Sequence, residues 1–224
     1  MRFINQYALS LTNNQSIRGL YMLPLVTETL LSTVPMVNPD GVDLVLEGAS
    51  AVGHYQDEVL RINNNNPEFS NWKANIRGVD LNNQYIANWE IEAARKPTTP
   101  EPRDFSGYQP LTEPESIAMA ALTGNRNFSR TSAFHTHGEV IYWGYEGLEP
   151  PEAETIVNEF ARVSNYRPVR FIDSYAGFKD WFIQVYWRPG YTIALGTGVN
   201  PLPISQFNEI YEETLGIMLA NLYM

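Results

Sequence analysis

The chain has 224 residues, 44% hydrophobic and 12% aromatic against 18% charged, enough apolar material for one α/β domain with a sizeable core. Fifteen Lys and Arg against 25 Asp and Glu give a formal charge of −10, and no stretch gathers basic residues along a phosphate-tracking face, which argues against nucleic acid as a partner. The absence of Cys excludes disulfides, thiolate-bound zinc, iron–sulfur clusters and thiol nucleophiles.

The first residues hold one Arg but no apolar run of signal-peptide length, and nowhere do roughly 18 apolar residues follow one another without a charge, so the chain as written is expected to be soluble and cytoplasmic. Phe3, Ile4, Tyr7, Ala8 and Leu11 recur at helical spacing and predict a helix over 2–12, ended by Thr12-Asn13-Asn14. The apolar run from Leu30 reads as a buried strand stopped by a turn at Asn38-Pro39-Asp40-Gly41, with a loop to follow. Residues 61–75, rich in Asn, and 96–112, rich in Pro, read as long surface loops of the kind that line sites.

Thr112-Glu113-Pro114-Glu115 opens a helix through Leu122, with Thr112 as the expected N-cap and the acids at the positive end. Then come a strand at 131–137, an amphipathic helix at 150–164, a strand at 168–173, a helix at 178–187 and a short strand at 190–196. A terminal helix places Phe207, Ile210, Tyr211, Thr214, Met218 and Leu222 on one face, expected to pack on the sheet. The alternation predicts a single α/β domain over 1–224, a central mixed sheet flanked by helices.

Two of the three histidines, His135 and His137, stand two residues apart in the 131–137 strand and are followed by Glu139. Alternate residues of a strand share a face at about 7 Å per step, so the three side chains have the spacing of a metal site at a strand end. A catalytic zinc takes three protein ligands and leaves a position for water. The other reading is of histidines satisfied by hydrogen bonds near a strand end. A cupin-type barrel is disfavoured because Glu139 follows His137 too closely and the segments 151–164 and 206–223 are helical.

The segments VPMVNPDGVDLV (35–46), WKANIRGVDLNNQY (72–85), PLTEPESIAMAALT (110–123), AFHTHGEVIYWGYEG (133–147), SYAGFKDWF (174–182) and NPLPISQFNEIYE (200–212) occur in one order. Together they resemble the zinc metallocarboxypeptidase family, and most closely its gamma-D-glutamyl-L-diamino acid endopeptidase I branch, which cuts stem peptides of the bacterial cell wall. The resemblance covers nearly the whole chain. It implies a zinc-carboxypeptidase-like sheet, zinc as the family's cofactor and an acidic stem peptide as partner.

Carried over, His135 takes the place of the family's third zinc ligand, while His137 falls where the family varies. Arg77 corresponds to the guanidinium that polarises the scissile carbonyl. Asn82 matches the Asn of an Asn-Arg pair that grips a substrate carboxylate, but Asn83 replaces the Arg. Tyr175 falls in the mobile tyrosine loop, in shifted register. Two departures weigh more. The family's His-x-x-Glu ligands precede its first helix, whereas this sequence begins at that helix and its first histidine, His54, reads as a surface residue. Ala194 stands at the position of the glutamate that activates the zinc-bound water, and Thr197 where the branch carries Arg.

One ligand of three does not hold a catalytic zinc, and alanine cannot act as a base. The expectation is a chain lacking the family's first strands, inactive as a peptidase, with a sheet edge left for a partner to cover. The alternative is a non-catalytic module that still binds peptidoglycan peptides through Arg77, Asn82 and Tyr175.

Overall fold

The computed structural model describes all residues, 1–224. In chain order the elements are α1 (Arg2–Thr12), the short strands β1 (Ser16–Ile17) and β2 (Leu20–Tyr21), α2 (Met22–Glu28), α3 (Pro39–Glu47), a 3-10 stretch (Ala49–Tyr55), α4 (Gln56–Ile62), α5 (Trp89–Ala93) and α6 (Pro114–Arg126). Then follow β3 (Thr131–Thr136), β4 (Val140–Tyr142), α7 (Glu152–Ser164), β5 (Arg167–Val169), α8 (Phe178–Tyr186), β6 (Gly190–Leu195) and α9 (Phe207–Tyr223).

β1 and β2 make a separate antiparallel pair, and the other four strands form one mixed sheet in the order β3-β6-β4-β5. β6 is parallel to β3 and antiparallel to β4, and β4 is parallel to β5. Its run Gly-Tyr-Thr-Ile-Ala-Leu has four of six residues buried, as expected of a central strand covered on both faces. The α/β architecture with a central mixed sheet is therefore as the sequence predicts.

One face of the sheet buries Ile141, Tyr191 and Ile193 against Ile156, Val157 and Phe160 of α7 and Ile217 and Ala220 of α9. Side chains of this size contribute about 1.5–3 kcal/mol each when fully buried. Gly216 sets the approach of the two helices: a Cβ there would lie 2.6 Å from the Val163 carbonyl oxygen. The opposite face is covered by α8, whose Trp181, Phe182 and Ile183 pack with Tyr85, Ala87 and Tyr145. No helix is long and apolar enough to cross a membrane.

Several local predictions are corrected. The expected strand from Leu30 is absent: residues 30–37 are irregular, because no strand lies beside them to pair with. Asn38-Pro39-Asp40-Gly41 is a helix start, not a stop. The Asn38 side chain accepts from the Gly41 N–H at 3.1 Å with Pro39 in the first turn, and helical segments, not a loop, occupy most of 39–62. Thr112 is no N-cap. That position is Glu113, and the Thr112 hydroxyl reaches Gln84 Oε1 instead.

The strand expected at 168–173 runs only over Arg167–Val169, and Val140–Tyr142 adds a strand that its three-residue length conceals. In α9 the predicted stripe faces elsewhere. Tyr211, Leu215, Leu219 and Leu222 pack on Phe3 and Tyr7 of α1, whereas Ile217 and Ala220 take the sheet side. The helix is buried on two sides, so its 3.6-residue periodicity blurs.

Candidate functional site

The parallel register of β3 and β6 sets His135 directly opposite Ala194, and the antiparallel register of β6 and β4 sets Ala194 opposite Val140. Paired residues share a face, so His135 and Ala194 project from the side of the sheet opposite Ile193 and Ile141. Ala194 is buried and His135 half-buried. Burial pushes the His135 imidazole below its usual pKa, the Lys73 ammonium adds to the effect, and the Asp80 carboxylate pulls the other way.

Lys73 and Asp80 come from the segment before the Asn82 motif, which is tightly folded. The Asn75 side-chain oxygen accepts the N–H groups of Arg77 and Val79 at 3.0 and 3.1 Å, and Gly78 supplies a φ of 73°. This turn brings Lys73 Nζ to 2.8 Å from Asp80 Oδ2. Asp80, almost wholly buried, also accepts the N–H groups of Asn82 and Asp104, both at 3.1 Å. Its negative charge is thus fully partnered.

Of the residues singled out in the sequence, the structure brings some together and separates others. Arg77 is exposed and pairs with Glu113 at 3.7 Å, so the cation that acts on His135 is Lys73, seven residues before Asp80. Lys73 and Asp80 are the residues that sequence reasoning passed over. Their signal, a buried Asp within Gly-Val-Asp and a Lys just after Trp72, is visible only once the turn is folded. Asn82 lies beside Gly177: a Cβ on that glycine would be 3.6 Å from Asn82 Oδ1. Tyr175 is two residues from Gly177, and its N–H donates to Glu92 Oε2 at 3.1 Å. Arg95 packs over the Tyr175 ring at 5.1 Å. His137 is exposed, as is His54, which stacks on Tyr55.

Tyr175 lines a cavity of about 590 Å³ between the segments 144–147 and 171–175, with Asp180 among its walls. It opens where β4 and β5 finish, at the end of the sheet opposite His135, and His135 does not line it. Asp180 is buried against Lys179, Nζ to Oδ1 2.5 Å, and burial raises its pKa although Lys179 opposes the rise. Lys73, Asp80 and Asn82 are joined by hydrogen bonds within their own segment, and Asn82 lies beside Gly177 in the loop that carries Tyr175, but none of the three lines the cavity.

No group of three or more His, Asp or Glu side chains within these 224 residues is placed to hold a metal ion, and the cation that acts on His135, the Lys73 ammonium, engages Asp80. Ala194 offers no proton acceptor.

The sequence profile of the zinc carboxypeptidases matches residues 3–216. Gamma-D-glutamyl-L-diamino acid endopeptidase 1 of Lysinibacillus sphaericus is 59% identical over all 224 residues, and the uncharacterized protein YqgT of Bacillus subtilis strain 168 is 52% identical over 225. The chain spans 57% and 60% of the lengths of these two relatives. Among solved structures, carboxypeptidase A of Helicoverpa armigera superposes with a TM-score of 0.60 at 18% identity, covering 98% of this chain and 56% of that one. Bovine thrombin-activatable fibrinolysis inhibitor superposes with a TM-score of 0.53 at 16% identity, over 65% of this chain and 56% of its own.

Proposed function

The chain belongs to the zinc carboxypeptidase family, and from that membership we propose that these 224 residues bind cell-wall stem peptides of the gamma-D-glutamyl-diamino acid type without hydrolysing them. The substrate class is that in the name of the Lysinibacillus sphaericus relative. The observation that carries the reading is the register that sets Ala194, which has no proton acceptor, opposite His135, beside a segment in which Lys73, Asp80 and Asn82 are kept. Lys73, with its ammonium part-exposed, offers a cation for a peptide carboxylate or carbonyl. Asn82 adds an amide, and Tyr175 and Phe171 provide apolar walls.

Catalysis of amide hydrolysis in this family needs a nucleophile, and zinc supplies it by activating a bound water. Removing a positioned general base alone costs about two to four orders of magnitude in rate. With Ala194 opposite His135, no side chain at that register position takes a proton from water. Arg77 stays in the proposal as a rim cation. It is held by Glu113 and is released by rotation of an exposed side chain.

The test is titration calorimetry of the purified chain with L-Ala-gamma-D-Glu-meso-diaminopimelate, beside chromatography of the same mixture for cleaved products. Binding that is lost in Lys73→Ala or Tyr175→Ala, weakened in Arg77→Ala and Asn82→Ala, and unaccompanied by cleavage supports the reading. Cleavage above the no-enzyme control, abolished in His135→Ala, sinks the non-catalytic part. Binding unchanged in all four binding-site variants sinks the site.

A further inference from the structure

The parallel strands β3 and β6 start at the end of the sheet away from His135, and a cavity of about 350 Å³ opens there. Ser129 and Arg130 wall it just before β3, Pro189 just before β6, Glu152 and Thr155 in the first turn of α7, and Met224 after α9. Arg130 precedes His135 by five residues of extended chain, about 16 Å. The cavity shares no wall residue with the one beside Tyr175.

Arg130 is a part-buried cation without a counter-charge. Its Nη2 donates to the Met224 carbonyl at 2.5 Å, while its Nη1 is shut off from water with no hydrogen-bond partner. Burial lowers its pKa, and Tyr191, not a carboxylate, is what opposes the fall. Arg95, Arg162 and Arg170, by contrast, each hold a carboxylate. A guanidinium keeps its charge at any working pH, so burying one unpaired is costly unless an anion completes it. Beside it α7, a helix of 13 residues, presents its positive end, and the N–H groups of Glu152 and Glu154 make no backbone hydrogen bond to the residues before them. Ser129 and Thr155 bring exposed hydroxyls. The group in the wall that opposes an anion is the Glu152 carboxylate, which is exposed and therefore screened.

We propose that this cavity binds a phosphate group, free or as the head of a small monoester, with Arg130 as its counter-charge. The donors come from three sides: the guanidinium, the hydroxyls of Ser129 and Thr155, and the start of α7. A tetrahedral anion with oxygens on every side meets such a set better than a planar carboxylate does. The bound group ties together the start of β3, the start of α7 and the end of α9, which Arg130 already reaches through Met224. The proposal stands or falls independently of stem-peptide binding and of the chemistry at His135.

The test is titration calorimetry of the purified chain with inorganic phosphate and with glycerol 3-phosphate, against acetate and chloride at matched ionic strength, beside thermal unfolding in the same solutions. The expected result is saturable binding at one site, at least about tenfold tighter for phosphate than for acetate, with a melting temperature that rises as the site fills. Tighter binding of glycerol 3-phosphate identifies a monoester as the natural occupant, and tighter binding of inorganic phosphate the free ion. Arg130→Met should weaken binding at least about tenfold, and Glu152→Gln should tighten it about two- to fivefold by removing the opposing charge. Arg130 also holds the end of α9, so a variant there can lose stability for that reason alone; Glu152→Gln alters an exposed side chain and carries the test by itself. No phosphate binding in the wild-type chain, or an equal response to acetate or chloride, overturns the proposal. A lower melting temperature of Arg130→Met in that case gives Arg130 to Met224 alone. Unchanged affinity in Glu152→Gln places the ion elsewhere and overturns the site.

Discussion

Lys179→Met is a sharp test of how the cavity wall is held. Lys179 and Asp180 are each 4% exposed, with Nζ 2.5 Å from Oδ1, and Nζ also donates to the Gly144 carbonyl at 2.6 Å, tying α8 to the end of β4. Asp180 Oδ2 accepts the Gly177 N–H at 3.1 Å, so the pair also holds the loop that carries Tyr175. Methionine keeps most of the buried length but strands the carboxylate. Removing one partner of a buried pair costs about 3–5 kcal/mol, about a fifth or more of the stability of a typical domain.

Urea denaturation at pH 7 measures the loss directly as a lower midpoint at unchanged slope. The double variant Lys179→Met, Asp180→Asn leaves no buried charge and is expected to recover most of the loss. The pH dependence has a defined sign. Burial raises the folded pKa of Asp180 above its unfolded value, and without Lys179 it rises further, so the folded state holds the extra proton between the two values. Stability of Lys179→Met therefore falls as pH rises through that window, and the deficit against wild type narrows in acid. A loss below about 1 kcal/mol at pH 7, or a double variant no better than the single one, refutes the reasoning.

Gly216→Ala should destabilise the protein by about 1–3 kcal/mol despite alanine's better helix propensity, because the new methyl meets the Val163 carbonyl at 2.6 Å; thermal unfolding reads the change. Burial alone would raise the pKa of Glu149, but the Tyr145 N–H at 2.9 Å and Arg170 Nε at 2.7 Å outweigh it and leave the carboxyl below its usual range. Its contribution is present above the unfolded value and lost as pH falls through the folded one, so Glu149→Gln should cost about 1.5–3 kcal/mol at pH 7 and progressively less in acid, measured by denaturation across pH. Ala194→Glu, which places a carboxylate opposite His135, should give no stem-peptide hydrolysis by chromatography from these 224 residues, in which no three His, Asp or Glu side chains gather to hold a metal. Hydrolysis by that variant would refute the reading of the metal site.

Much of the fold is legible because the local signals are strong. Glu152–Ser164 is amphipathic with five buried residues on one stripe, and Gly190–Leu195 is a short apolar run bounded by glycines, so period and composition alone mark them as helix and buried strand. Val140–Tyr142 is too short for alternation to register, and its strand exists only because β6 and β5 flank it. The run from Leu30 has strand composition and no strand structure, since backbone pairing is supplied by neighbours and not by the segment itself. Asn38-Pro39-Asp40-Gly41 is chemically as good a helix start as a turn, and the Asn38 side chain decides it by accepting the Gly41 N–H.

At the site, the resemblance to the zinc metallocarboxypeptidases singled out His135 and marked Ala194 as a position that cannot supply a base, because a side chain either carries a donor or acceptor or does not. The register that sets the two opposite each other belongs to the sheet. The choice between the two cations was also tertiary. Arg77 and Lys73 lie four residues apart in one turn, and the fold gives the first to Glu113 and the second to Asp80 and the neighbourhood of His135. The sequence by itself determined which chemistry the chain carries, since functional groups travel with residue identity. Which of those groups meet was decided only by the packing of distant segments, since electrostatic and hydrogen-bonding partners are chosen by distance in space and not along the chain.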